Sequence, residues 1–220
     1  MKAEVDLSKY HNKDNENKII ITNIESKELG AMIAEQKSKI TTKIIELRIN
    51  DKTYKIVEYK KLIDLERFNY KSRRSIVEYF LIEAFRNKEI YTTDNIKVGM
   101  SGRSASKIAR VQANNQQEIA LYSDNLIQIG VFDKEIPSYG NKEGQFRYYN
   151  SLIKINNEVF DVKLNIFKDQ NGDRLYDINK ITKIQQRSLE DYGQSLVSNT
   201  SISNGNEDVN MASKLNTRNK

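Results

Sequence analysis

Apolar and polar residues alternate along residues 146–184, and two asparagine-containing turns interrupt the alternation. The turns fall at Asn156-Asn157 and at Asn171-Gly172, and Asn-Gly between alternating runs is a strong short-range hairpin signal. Since successive side chains of a strand point to opposite faces, the pattern predicts an antiparallel β-meander with one apolar and one polar face.

The two faces of this meander follow from the alternation. We expect the apolar face to carry Ile153, Ile155, Phe160, Val162, Leu164 and Ile166. We expect the opposite face to carry Lys154, Asp161, Lys163 and Asn165, with aromatic side chains at its edge from Tyr148, Tyr149, Phe167 and Tyr176. Such a face is either the solvated side of an α/β sandwich or a basic surface that grips a phosphate backbone and stacks on unpaired bases.

Helical periodicity dominates the remainder of the chain. The strongest example covers residues 72–88, where Ile76, Phe80 and Ala84 follow i, i+4 spacing. Weaker helical patterns occupy residues 26–40, 104–111 and 114–130, and a hairpin is predicted over residues 43–59. The fold class predicted is therefore α+β, with the antiparallel β-meander packed against helices.

The two ends of the chain differ from its centre in composition. Residues 1–18 are polar with mixed charge, and residues 188–220 are rich in serine, asparagine and glycine without periodicity. Segments that bury little apolar surface do not offset the entropy of ordering. We expect a disordered arm over residues 1–18, an α+β domain over residues 19–187 with a possible sub-boundary near residue 90, and a disordered tail over residues 188–220.

Charge favours a polyanionic partner. The chain has a net charge of +6 and a pI near 9.2, and residues 40–110 hold sixteen Lys and Arg against nine Asp and Glu. The excess therefore lies in the predicted domain, where it is able to form a binding patch. The chain has no cysteine, no apolar run near the roughly 20 residues that span a bilayer and no signal-peptide pattern at its start. We expect a cytoplasmic protein with no membrane partner.

Several arginines and lysines are candidate nucleic-acid ligands. Arg73 and Arg74 fall in the first turn of the strongest helix, where they oppose its dipole. The segment GMSGRSASKIAR places Arg103 and Lys107 between a strand and a helix, where backbone N–H groups and Lys107 suit a phosphate. Arg174 lies on the last strand of the meander. The alternative interpretation is an ordinary capped turn with exposed basic side chains.

Metal and triad chemistry find no support in the sequence. The single histidine, His11, lies in the predicted arm, and no HExxH or GxSxG motif is present. The acidic run at residues 169–173 lacks the twelve-position frame of a calcium loop and is better explained as a hairpin turn. We expect no metal site and no cofactor.

Residues 90–184 resemble the barnase–EndoU–colicin–RelE type nuclease domains of polyvalent phage proteins. The resemblance rests on the run N-x-x-V-F-D-V-K-L-N-I-F-K-D, followed by R-L-Y-D-I, and it covers less than half of the chain. It implies helices before a four-stranded antiparallel sheet, and metal-independent RNA cleavage in which the 2′-hydroxyl attacks the adjacent phosphate.

The resemblance also implies roles for residues of this chain. Many members use His or Glu, whereas RelE-like relatives use Lys, Arg and Tyr, which are the types present here. Lys154 or Lys163 would act as general base, and Tyr148 or Tyr176 as acid. Arg103 and Arg147 would clamp the phosphate. The same set of residues suits an inactive descendant that only binds RNA.

Three functions remain open on the sequence alone. The first is a phage- or mobile-element-type ribonuclease, or an inactive relative, that acts on RNA or a nucleoprotein complex. The second is a non-enzymatic inhibitor that binds a host nucleic-acid-processing machine or a defence nuclease. The third is a structural or adaptor protein.

The composition of the tail yields a test. Removal of residues 188–220 is expected to leave the melting temperature of the protein nearly unchanged, because the segment offers little apolar surface for burial. Thermal unfolding followed by circular dichroism measures this, and a drop of many degrees would show that the tail docks onto the domain.

Overall fold

The protein contains a mixed seven-stranded sheet and α-helices that cover one of its faces. The structure is a computed structural model that describes residues 5–49, 52–86, 88–111, 115–138 and 143–184. The predicted α+β class is confirmed. The predicted tail over residues 188–220 and the hairpin turn at residues 50–51 lie outside the described residues.

The elements follow one another in a helix-rich first half and a strand-rich second half. The described helices are α1 (Asn23–Ser38), α2 (Tyr70–Phe85), α3 (Gly102–Ala109), α4 (Gln116–Ala120) and α5 (Ser123–Ile129), with a 3₁₀ turn at Leu65–Arg67. The strands are β1 (Ile44–Ile49), β2 (Lys52–Glu58), β3 (Val98–Met100), β4 (Val131–Pro137), β5 (Gln145–Ile155), β6 (Glu158–Asp169) and β7 (Gly172–Ile184).

The sheet is mixed, whereas the sequence pattern predicted an antiparallel one. Its order is β1-β2-β5-β6-β7-β3, and β4 also pairs with β5. The neighbours β2 and β5 are parallel, as are β3 and β7. Alternation specifies which side chains share a face but not which strand lies at each edge, so the two parallel pairings were not predicted.

The meander β5–β6–β7 is confirmed with its predicted faces. All six residues assigned to the apolar face belong to the main hydrophobic core. Asn156 and Asn157 join β5 to β6 with φ angles of 49° and 73°, as a two-residue type I′ hairpin turn requires. The helices therefore lie against this face. The opposite face, called the outer face below, carries Tyr148, Lys163 and Phe167, which pair across the strands with Asn165, Asn150 and Phe146.

Side-chain caps fix where the first two helices begin. Thr22 and Glu25 form a capping box that starts α1 at Asn23, three residues before the helical pattern that the sequence predicts over residues 26–40. Asn69 accepts a hydrogen bond from the Ser72 amide, 3.0 Å away, and starts α2 two residues earlier than expected.

The N-terminal arm is a correction to the sequence prediction of disorder over residues 1–18. Val5, Leu7 and Tyr10 are buried in the main core, and the Val5 amide donates to the Leu62 carbonyl at 3.0 Å. Three apolar side chains in a polar segment change its average composition too little to indicate burial, but they join the main core beside Leu62 and Phe68. Residues 5–18 therefore pack on the domain.

The main core extends across the predicted sub-boundary near residue 90. Buried residues from Val5 to Ile178 belong to one cluster, with Phe80 of α2 and Leu164 of β6 among its members. Within the part of the chain that the structure describes, no helix is long and apolar enough to cross a membrane.

The position of Phe80 gives a direct test of the core. Phe80 is 1% exposed, so Phe80→Asp buries a charge and removes packing. That change costs on the order of 5 kcal/mol, a large part of the free energy of unfolding of a domain. Circular dichroism is expected to show an unfolded variant. Ile24→Asp, at a position that is 72% exposed, should leave the fold intact, and a folded Phe80→Asp would contradict this core.

Candidate nucleic-acid interface

A groove of about 770 Å³ opens between the start of α3 and the ends of the long strands. It is called the groove below, and its lining residues are Arg103, Glu143, Gly144, Gln145, Phe146, Phe167, Lys168, Asp169, Gln170, Arg174 and Tyr176. Three of them, Arg103, Arg174 and Tyr176, are predicted site residues. The β6–β7 turn brings Arg174 and Asp169 together, and β5 supplies Phe146 beside them.

Three aromatic rings form the wall of the groove. The ring centroid of Phe146 lies 4.8 Å from that of Phe167 and 5.3 Å from that of Tyr176. Phe167 itself is 5% exposed, so Phe146 and Tyr176 present the accessible ring surface. Gly144 allows the chain to pass close to the end of β6. A Cβ atom at this position, where φ is +147°, would lie 2.5 Å from the Lys168 carbonyl oxygen.

Cationic side chains lie over these rings. The Lys107 ammonium is 3.9 Å from the Tyr176 ring centroid and 2.8 Å from Asp177 Oδ2. The Arg174 guanidinium lies 5.3 Å from the Phe167 centroid and donates to both carboxylate oxygens of Asp169. Each cation is thus fixed in place by a carboxylate while one side of it faces the rings.

Two further cations of the groove are exposed. Arg103 projects from the first turn of α3, and Lys168 from the end of β6. Among the described residues neither has an ion-pair partner within 4.0 Å, in contrast to Lys107 and Arg174. These two side chains are the ones available to meet an incoming anion.

The centre of the outer face holds a second polar cluster. Lys163 is 2.8 Å from Asp133 of β4 and 5.8 Å from the Tyr148 ring centroid. The structure therefore brings together Tyr148 and Lys163, two of the predicted site residues. The Lys163 ammonium is engaged by Asp133, a residue that the sequence did not single out, rather than directed at open solvent.

Arg147 lies on the helix-covered side of the sheet and not with Tyr148, because neighbouring residues of a strand alternate. It makes an ion pair with Glu135 of β4, and its Nη1 atom is 3.7 Å from Asp173 Oδ1. Burial raises the pKa of Asp173, and the positive charge of Arg147 only partly opposes this. Arg147 therefore already faces two carboxylates, which neutralise the charge that a bound phosphate would need.

Tyr149 corrects the predicted set of edge aromatics. It is fully buried in the core, and its hydroxyl donates to the Asp94 carboxylate at 3.0 Å. Burial, followed by the hydrogen bond with Asp94, raises the pKa of the Tyr149 hydroxyl. The alternation runs Tyr148 outward and Tyr149 inward, so only one of the adjacent tyrosines reaches the outer face.

Lys154 stands at the far end of the outer face. It pairs with Val159 beside the β5–β6 turn, and its carbonyl accepts from the Tyr59 amide at 2.9 Å. Six residues of extended strand separate it from Tyr148, or about 20 Å at 3.3 Å per residue. The proposed base, acid and phosphate clamp therefore do not converge: Lys154, Lys163 with Tyr148, Arg147, and Tyr176 occupy four separate places.

Arg73 and Arg74 lie outside the groove. The Arg74 guanidinium donates to Ser106 Oγ on α3 at 3.3 Å, and Arg73 is close enough to Glu118 of α4 to influence its charge. Arg74 thus joins α2 to α3, whereas Arg73 lies near α4 with its Nε buried and without a hydrogen-bond partner among the described residues. Their role as nucleic-acid ligands stays a prediction.

The glycine- and serine-rich segment before α3 is a capped strand–helix turn. Ser101 Oγ accepts from the Ser104 amide at 3.1 Å, which satisfies one of the amides that a phosphate would need. Lys107 points to Tyr176 and Asp177 instead of to the helix start. The segment thus fits the alternative of a capped turn, and phosphate binding there stays a prediction. The same helix borders the groove through Arg103.

The sequence missed Phe146 as a ring of the groove and β4 as a strand. β4 contributes Asp133 and Glu135, but its residues are mostly exposed and show no apolar alternation. One signal could have identified Phe146: it lies two residues before Tyr148 on the same strand, so both side chains point to the same face. Among the described residues, no group of three or more His, Asp or Glu side chains is arranged to hold a metal ion.

Two carboxylates at opposite ends of the β6–β7 turn give a pH test. Burial raises the pKa of Asp173, whereas the hydrogen bond from Arg174 lowers that of Asp169. Protonated Asp173 thus contributes to the free energy of unfolding. This contribution is present below about pH 4 and is lost as the pH rises through the pKa of Asp173 in the folded chain. For Asp169 the contribution is present at neutral pH and lost on acidification.

We therefore expect Asp173→Asn to raise the melting temperature near neutral pH, with a difference that vanishes on acidification. Asp169→Asn is expected to lower it under the same neutral conditions. Thermal unfolding at several pH values measures both. A destabilising Asp173→Asn at neutral pH would mean that its attraction to Arg147 outweighs the cost of burial.

The chain stands apart from the proteins with which it was compared. No protein-family model matches it, no curated protein matches its sequence, and no solved structure matches its fold. Its function is therefore inferred from the groove and the outer face themselves.

Proposed function

We propose that this protein binds single-stranded RNA in the groove and does not cleave it. The observation that carries the proposal is the cluster of Phe146, Phe167 and Tyr176, over which Lys107 and Arg174 are held. Proteins that bind single strands combine aromatic platforms with cationic grooves, because every base offers a ring face for stacking.

The chemistry of the groove suits an unpaired strand better than a duplex. Phe146 and Tyr176 offer ring surface only to a base that has left its stack. Arg103 and Lys168 flank the rings and lack carboxylate partners among the described residues, so they are free to contact phosphates. With about two phosphates neutralised, the logarithm of affinity should fall with that of salt concentration at a slope of about −1.4.

Binding without cleavage follows from the separation of the candidate catalytic groups. Acid–base catalysis requires donor and acceptor within hydrogen-bond reach of the same reacting atoms. Arg147 and Lys163 are each held by carboxylates, and Lys154 lies at the other end of β5. The chain also has α3–α5 before the antiparallel strands β4–β7, the order that the nuclease resemblance implies, which supports descent from an RNA-directed fold.

A second candidate is a non-enzymatic inhibitor that binds a host nucleic-acid-processing or defence nuclease complex in the cytoplasm. The observation that favours it is the edge strand β4, where Val131 is 51% and Phe132 40% exposed. Exposed apolar residues on an edge strand suit a protein partner better than RNA.

RNA binding is tested by fluorescence anisotropy of a labelled single-stranded oligoribonucleotide in EDTA. Tyr176→Ala is expected to weaken binding about tenfold, since stacking contributes ~1–3 kcal/mol per base. Arg103→Gln should weaken binding across sequences and reduce the steepness of the salt slope by about 0.7, the share of one phosphate contact.

Matched controls lie outside the groove on the same molecule. Tyr91→Ala removes an exposed tyrosine, and Arg110→Gln removes an exposed arginine from the C-cap of α3, the helix that carries Arg103. Both should bind RNA like the native chain. No binding, equal effects of control and groove variants, or cleavage of the oligonucleotide in EDTA would each contradict the proposal.

A further inference from the structure

A smaller cavity of about 300 Å³ lies where the end of α1, the end of β2 and the start of α5 meet. It is called the lysine cavity below, and it is lined by Lys37, Ile40, Thr41, Thr42, Lys43, Glu58, Tyr59, Lys60, Leu62 and Tyr122. None of these residues lines the groove. Phe146 and Lys154, near the two sites, are eight residues apart on β5, or about 27 Å.

Lys37 is the unusual group in this cavity. Its side chain is only 4% exposed, and its ammonium group forms an ion pair with Asp124 of α5. The ammonium also lies 5.0 Å from the ring centroid of Tyr122. Burial lowers the pKa of Lys37, and the negative charge of Asp124 opposes that effect.

The hydrogen bonds of Lys37 are incomplete among the described residues. An ammonium group has three donors, and Asp124 is the one acceptor that the described part of the chain provides. Buried donors without acceptors are costly and rare in folded proteins. The hydroxyl of Tyr122 offers no substitute, since it donates to the Lys60 carbonyl at 2.6 Å and accepts from the Lys60 amide at 3.0 Å.

The charges around the lysine cavity leave one positive charge in excess. Lys37, Lys43 and Lys60 face two carboxylates, those of Glu58 and Asp124. Lys43 is paired with Glu58 at 2.8 Å, and Lys37 with Asp124. Lys60 therefore stands without an ion-pair partner among the described residues. The charge of Lys88 also acts on Lys37 and helps to lower its pKa, so the cavity favours a ligand that carries negative charge.

The walls of the cavity are largely apolar. Ile40 and Leu62 contribute aliphatic surface, and Tyr59 and Tyr122 contribute rings whose centroids are 5.4 Å apart. Sites for small molecules combine such walls with a few convergent polar groups, and their volumes begin at about 300 Å³. A small ligand with one anionic end and one apolar end matches both features.

We propose that the lysine cavity binds a small organic carboxylate. The carboxylate oxygens accept from the spare donors of Lys37 and are attracted by Lys60 at the mouth. The apolar body of the ligand lies against Ile40, Leu62 and the tyrosine rings. This site is independent of RNA binding, because it shares no residue with the groove.

Benzoate tests the proposal, with benzamide as a neutral probe of nearly the same shape. Each is titrated into the ¹⁵N-labelled full chain at constant pH and followed by NMR. Benzoate is expected to shift the backbone amides of Thr41, Thr42 and Lys60 in a saturable manner, whereas benzamide is not. Equal shifts with benzamide, or no saturable shifts with benzoate, would overturn the assignment.

Variants separate the cavity from general charge effects. Lys60→Gln is expected to weaken benzoate binding about tenfold, through loss of one charge contact. Lys39→Gln, an exposed lysine next to the cavity segment but outside its lining, should leave the affinity unchanged.

Lys37→Met alone leaves the half-buried Asp124 without its cation, with only the Asn125 amide among the described residues still donating to it, and is expected to destabilise the fold. The double variant Lys37→Met with Asp124→Leu removes both charges and keeps the volume filled. It is expected to remain folded and to lose the saturable benzoate shifts. A folded double variant that binds benzoate like the native chain would contradict the role of Lys37.

Discussion

The period-two alternation of β5, β6 and β7 is the constraint on which the rest of the molecule depends. It gives the sheet one continuous apolar face, and the helices bury that face in a single core from Val5 to Ile178. A shift of register by one residue would exchange the two faces, so burial of Phe160 and Leu164 holds Lys163 and Phe167 on the other side. The groove exists because none of the described helices crosses this face, and α3 borders its β7 edge through Lys107 and Arg103.

Charge pairing determines what the outer face is able to do. Four of the eight cations that the sequence offered as catalytic or binding groups are held by carboxylates: Lys107 by Asp177, Lys163 by Asp133, Arg147 by Glu135 and Asp173, and Arg174 by Asp169. Such pairs fix side chains in place at little net gain in stability when they are exposed. They position rings and cations for contact with a ligand, but they do not assemble an acid and a base around one atom. Binding is therefore better supported than cleavage.

Much of the fold was accessible from the sequence because its signals are local. The alternation of Phe160, Val162 and Leu164, the Asn156-Asn157 turn and the stripe of Ile76, Phe80 and Ala84 are short-range patterns, and the structure confirms each. The parallel pairings of β2 and β3, the strand β4 and the burial of Val5, Leu7 and Tyr10 depend on contacts between distant segments. The same distinction applies to the site. The types of its residues were predictable, but the partners Asp133 and Glu135 lie on β4, whose residues are mostly exposed and show no apolar alternation from which a strand could be predicted.

The claim that the groove receives RNA is tested most directly by mapping the contact on the native chain. A ¹⁵N-labelled sample titrated with a short single-stranded oligouridylate is observed by NMR, without any substitution. The account predicts that amide shifts concentrate at Gln145, Phe146, Lys168, Arg174 and Tyr176, and that Lys154 and its neighbours in the β5–β6 turn stay unchanged. Shifts concentrated around Lys154 or along β4, with the groove unaffected, would contradict it.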